Sequence, residues 1–161
     1  MKKILNVSNI LSWINLIIGS FLVLCALLTI RTFPPLAVLI SVVLVGCIVL
    51  HSHAAMQLRK SILHATIPLS KQTPIGIRVM GYMALFFAIM LFSNAVYLLQ
   101  NTQQVLKQVQ FPKEMKNVDI TGVIRGTSIF LVLFSISVIV NVVLNLRLLR
   151  FYALSHSSQS K

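Results

Sequence analysis

Acidic residues are nearly missing from this chain. Of its 161 residues only two are acidic, Glu114 and Asp119, and both fall in one segment between apolar runs. That scarcity leaves no carboxylate pair for general acid/base work and no acidic cluster for Mg²⁺ or Ca²⁺. Cysteine is almost as rare, with Cys25 and Cys47 alone and no Cys-x-x-Cys spacing. On two antiparallel spans these thiols differ in depth by roughly 10 Å, beyond disulfide reach, so both are expected as buried free thiols. A Gly-rich phosphate loop, a nucleophile elbow and a zinc-protease helix motif are also missing. His51, His53 and His64 invite a metal reading, but His51 and His53 point about 160° apart on a helix and no acidic or thiol ligand is near. No cofactor or metal is expected. Acid/base chemistry near neutral pH could come only from the histidines, so the chain is expected to be non-enzymatic.

What is abundant is apolar length. The apolar fraction is 57% and the mean hydropathy +0.91, too high for a soluble globule of this size. Four runs are long enough to cross a hydrocarbon core of roughly 30 Å: about 10–30, 36–58, 75–99 and 123–149. Met1-Lys2-Lys3 followed by apolar residues resembles a signal peptide. The first run is too long for that, and no A-x-A site follows it, so it is read as an uncleaved span. Arg31-Thr32-Phe33-Pro34-Pro35 forms a tight turn, since Pro-Pro cannot continue a helix but suits the start of the next. The strictly apolar part of the second run ends at Leu50, which places His51, Ser52, His53 and Gln57 at the interface. Residues 100–122 are expected as a helical extension stopped by Pro112 and then a loop, with Asn117, Asp119 or Thr121 capping the fourth helix. Residues 155–161 are expected as a disordered polar tail. The resulting fold class is all-α, an integral membrane four-helix transmembrane bundle.

Small and polar residues are arranged in stripes. In the first span Ser8, Ser12, Asn15, Gly19 and Ala26 share one face, a packing surface where backbones can approach closely. In the third, Gly81, Ala84, Ala88 and Ala95 do the same, while Met83, Met90, Asn94 and Tyr97 occupy another face. Asn94 is expected to hydrogen-bond another helix, with a pore or pocket as the alternative. In the fourth, Ser137, Asn141 and Asn145 are spaced four apart, with Gly126 and Phe130 near the same stripe. Amides inside lipid are costly unless partnered, so this face should look at protein or water. Asn15, Gly19, Gly81, Ala84, Ala88, Asn94, Ser137, Asn141 and Asn145 are therefore the helix-packing or pore-lining candidates.

The net charge of +12 does not point to nucleic acid, because the basic residues sit at the ends of apolar runs, where topology and anionic lipid headgroups explain them. With four spans, nine Lys and Arg lie on the side of the termini and five on the other, which favours both termini in the cytoplasm. The expected partners are the bilayer, anionic headgroups and either a second copy or another membrane protein.

Two known four-span families lack a counterpart here. Small multidrug exporters need a membrane-embedded Glu, and four-helix disulfide-generating enzymes need paired cysteines; neither is present. The stretch Leu58-Arg59-Lys60-Ser61-Ile62, followed by Arg78-Val79-Met80-Gly81-Tyr82 opening a span, resembles the YoaS-like small four-span bacterial membrane proteins. The resemblance implies a bacterial inner-membrane protein and no activity. Two functional classes follow: a non-enzymatic protein acting through helix packing, as homo-oligomer or accessory or sensory subunit, and a small channel or uncoupled transporter with a Ser/Asn-lined path.

Overall fold

The computed structural model describes residues 2–31, 34–63, 69–70, 72–108 and 119–157. Among these residues the chain forms helices and no strand: α1 (Lys2–Leu28), a short 3-10 turn (Thr29–Arg31), α2 (Pro35–Leu63), α3 (Gln72–Gln100), α4 (Thr102–Gln108) and α5 (Ile120–Ser157). Pro35 is the first helical residue of α2, and the Pro34 carbonyl accepts the amides of Ala37 and Val38, so the Pro-Pro pair starts a helix as its fixed φ allows. Asp119 is the cap of α5: its carboxylate accepts the Gly122 amide at 3.0 Å. The other two cap candidates are not used in this way, Asn117 lying outside the described residues and Thr121 inside the helix. The extension of α3 breaks for one residue at Asn101, whose side chain donates to the Tyr97 carbonyl, and resumes as α4. Pro112, Glu114, His64 and Lys71 lie outside the described residues. Helix α5 runs through Ser157, three residues into the expected polar tail, and 158–161 lie outside the described residues.

Four of these helices, α1, α2, α3 and α5, are long and apolar enough to cross a membrane. Their packing is inverted relative to a water-soluble bundle. Ala84, Ala88 and Ala95 are fully buried, whereas Ile17, Phe21, Leu39, Phe86, Ile89 and Leu133 face outward. Lipid tails are as apolar as leucine, so large side chains gain nothing by leaving them, and helices associate by bringing small residues together. A continuous outward belt of this kind belongs in a bilayer. The chain is an all-α, four-helix transmembrane bundle and a multi-pass membrane protein.

The inward residues follow alternating three- and four-residue steps, such as Leu5, Ser8, Ser12, Asn15 and Gly19 on α1, and Ile77, Gly81, Ala84 and Ala88 on α3. Helix α3 packs most extensively on α5, and α1 on α2. Gly19 lets α1 approach α2: a Cβ there would stand 2.9 Å from Val49 Cγ2. Cys25 and Cys47 are free thiols.

Candidate functional site: a buried polar layer

Two apolar clusters divide the core along its length. One holds Leu5, Leu58, Ile77, Leu148 and Leu149, near the start of α1 and the end of α5. The other holds Ile48, Ala84, Ala88, Phe134, Val138 and Val142, deeper in the bundle. Ser8 of α1, His51 and Ser52 of α2 and Asn145 of α5 fall between them, while Ser12 and Asn15 of α1, with Asn141 and Ser137 of α5, run alongside the deeper cluster. Nearly all of these polar side chains are inaccessible from outside.

The serine and amide groups of α1 and α5 close on one another as a zipper. Ser8 Oγ donates to Asn145 Oδ1 at 2.6 Å, and Ser12 Oγ to Asn141 Oδ1 at 3.1 Å. Ser137 Oγ donates to Asn15 Oδ1 at 2.9 Å, and Asn15 Nδ2 makes a longer bond to the Ser137 carbonyl at 3.5 Å. Asn145 Nδ2 donates along its own helix to the Asn141 carbonyl at 2.8 Å and to Asn141 Oδ1 at 2.9 Å. Partner numbers rise along α1 as they fall along α5, so the helices are antiparallel, and the start of α1 and the end of α5 share one face of the bundle. A slip by one turn would re-pair two of these rungs and leave the polar group at each end of the zipper facing apolar side chains. A buried amide set of this kind specifies register, as a core asparagine does in a coiled coil.

The other candidates separate clearly. Gly19, Gly81, Ala84 and Ala88 are buried between the helices of this same chain. Asn94 is not: it lies exposed on the outward face of α3 with Tyr97, Met83 and Met90, so the expected bond to another helix of the chain is not formed. Gly126 and Phe130 also face outward, away from the zipper. Because Asn94 is exposed on the outward face of α3, Asn94→Leu should leave thermal stability in detergent unchanged or slightly raised, within about 0.5 kcal/mol. A clear fall in melting temperature would place Asn94 against a second copy.

His51 and Ser52 are the residues that sequence reasoning misplaced. They do not sit at the interface; both turn into the core at 1% and 0% exposure, while His53 and Gln57 face outward. Measured along α2, His51 stands about 24 Å from Pro35, within one hydrocarbon thickness. The signal was present in the spacing: Val45, Ile48, Ser52 and Ala55 continue the core stripe at helical steps, with His51 beside it. Gly81 makes room for the imidazole, since a Cβ at that position would lie 3.1 Å from both Cε1 and Nδ1 of His51 and 3.5 Å from Val142 Cγ1. The ring rests against the α3 backbone beside Ile77 without closing a well-formed hydrogen bond. Ser52 Oγ and Asn141 Nδ2 have no protein partner.

Chemically, the layer offers hydroxyls, carboxamides and one imidazole. Among the described residues no three His, Cys, Asp or Glu side chains gather at one point. No protein family, curated protein or solved structure matches the chain.

Proposed function

We propose that this is a non-enzymatic membrane protein acting through helix packing, an accessory or sensory subunit of a bacterial inner membrane with both termini in the cytoplasm. The observation that carries this reading is the α1–α5 zipper, in which Ser137, Asn141 and Asn145 of the fourth span each meet a partner on α1 of the same chain. Gly19, Gly81, Ala84 and Ala88 are likewise occupied by intramolecular contacts. A partner, or a second copy in the homo-oligomeric form of this reading, therefore meets the outward belt, where Asn94 and Tyr97 stand on α3. The orientation rests on the excess of Lys and Arg on the face of the termini, and the inner-membrane assignment on the resemblance noted above.

A second reading, a small channel or uncoupled transporter, draws on Ser52 Oγ and Asn141 Nδ2, two polar atoms free to bind water next to a Ser/Asn path. One pair of measurements separates the two. Purified protein sized by light scattering, with the detergent contribution subtracted, is expected to give a monomer or one discrete small oligomer. Liposomes carrying the protein are expected to show no more solute or ion leakage than empty ones. Leakage that disappears on Asn141→Leu and Asn145→Leu would overturn the packing reading in favour of the channel.

A further inference from the structure

On the face shared by the two termini, α3 and α5 leave an open groove of about 420 Å³ lined by Arg78, Tyr82, Leu146, Leu149 and Arg150, among others. Its volume is in the range of small-ligand sites. The two helices are antiparallel, since Ile77 packs with Leu148 and Leu149 near this face and Ala84 and Ala88 pack with Phe134 and Val138 deeper in. The groove therefore has a direction. Ala153 and Leu154 flank its outer end on α5, Arg78 and Arg150 stand next inward, and Tyr82 and Leu146, each one helical turn deeper, stand on its bilayer side.

We propose that this groove binds an anionic glycerophospholipid, with its phosphodiester between the Arg78 and Arg150 guanidiniums and an acyl chain along Tyr82 and Leu146. Three observations argue for that occupant. Arginine presents a planar fork that matches phosphate oxygens, and two arginines line this one groove. Inward from the two arginines the groove turns apolar, in the order in which a lipid changes from headgroup to tail. Among the described residues no carboxylate competes: Asp119 is the one acidic residue, at the far end of α5, about 46 Å along the helix from Arg150. Basic pockets between transmembrane helices are the recurrent form of anionic-lipid sites.

The test uses the full chain in detergent supplemented with phosphatidylglycerol or phosphatidylcholine, read by native mass spectrometry and thermal melting. Wild type should retain phosphatidylglycerol in preference to phosphatidylcholine. Arg78→Gln with Arg150→Gln should weaken that retention about tenfold or more. The charge-matched control, Lys60→Gln with Arg147→Gln, removes two exposed cations from the same face, with Arg147 on a separate groove beside Ile4 and Phe151. It should stay within about twofold of wild type, the site being local. Equal losses in both double variants would mean diffuse attraction and overturn the site, as would no loss in the first. Glycerol phosphate matching the protection given by the lipid would also overturn it, because the apolar half would then be idle. A photoactivatable phosphatidylglycerol on the wild-type chain needs no variant to fold. Its adducts should map to 78–82 and 146–154, and labelling spread evenly around the bundle would overturn the proposal.

Discussion

Gly81→Leu should lower the stability of the bundle in detergent by about 3 kcal/mol or more, the upper range for overpacking a core. The first added carbon already meets His51 at 3.1 Å and Val142 at 3.5 Å, and three further carbons have nowhere to go. Relief would require the imidazole to swing away from the α3 backbone or α3 to part from α5, its most extensive partner. Shortening the opposing side chain, H51A, in the Gly81→Leu background should recover part of the loss. The contrast is Gly46, where a Cβ meets nothing within 4 Å. Gly46→Ala should be neutral or stabilising by up to about 1 kcal/mol, from reduced backbone entropy in the unfolded chain. Thermal melting of the three variants decides the matter. A Gly81→Leu protein as stable as Gly46→Ala would show that His51 does not occupy this position.

Asn141→Leu is expected to cost about 1–2 kcal/mol. The Asn141 side-chain oxygen accepts from both Ser12 and Asn145, so leucine strands two donors in an apolar core. The loss is bounded. Asn145 keeps its 2.8 Å bond to the backbone carbonyl of residue 141, and a serine hydroxyl can turn to a carbonyl of its own helix. The unpartnered Asn141 Nδ2 is also removed, which offsets part of the cost. The informative quantity is therefore the coupling in a Ser12→Ala, Asn141→Leu cycle, expected at about 0.5–1.7 kcal/mol, the span seen for hydrogen bonds between transmembrane helices. Strictly additive effects, or an unchanged melting curve for Asn141→Leu, would remove the zipper as a source of stability.

The four spans could be read from the chain because a bilayer demands long apolar helices and leaves few alternatives. Stripes were legible for the same reason: Gly81, Ala84 and Ala88 are small where everything around them is large, and their burial follows from how helices pack in lipid. What spacing on a single helix cannot reveal is which other helix a stripe meets. Ser8, Ser12 and Asn15 form a face whether they pair with α2 or α5, and only the assembled bundle matches them to Asn145, Asn141 and Ser137. His51 was misplaced because the hydropathy run stops at Leu50, and hydropathy averages over the circumference of a helix. Asn94 failed in the opposite direction. An amide in a span is expected inward, but its position on α3 is set by its neighbours, and the inward stripe passes through Ala88 and Ala95.

The zipper also has a consequence for biogenesis. Its two strands are 122 to 137 residues apart in the chain, so α1 leaves the ribosome long before α5 exists. At a synthesis rate of roughly 5–20 residues per second, the delay is about 6–27 s. Through that interval the hydroxyls of Ser8 and Ser12 can turn to the carbonyls of their own helix. The Asn15 amide, with two donors and an acceptor, is harder to satisfy within a lone helix in lipid. Asn15 is thus the group that ties completion of the fold to arrival of the last span: a chain truncated before Ser137 would leave its side-chain oxygen without the hydroxyl that donates to it.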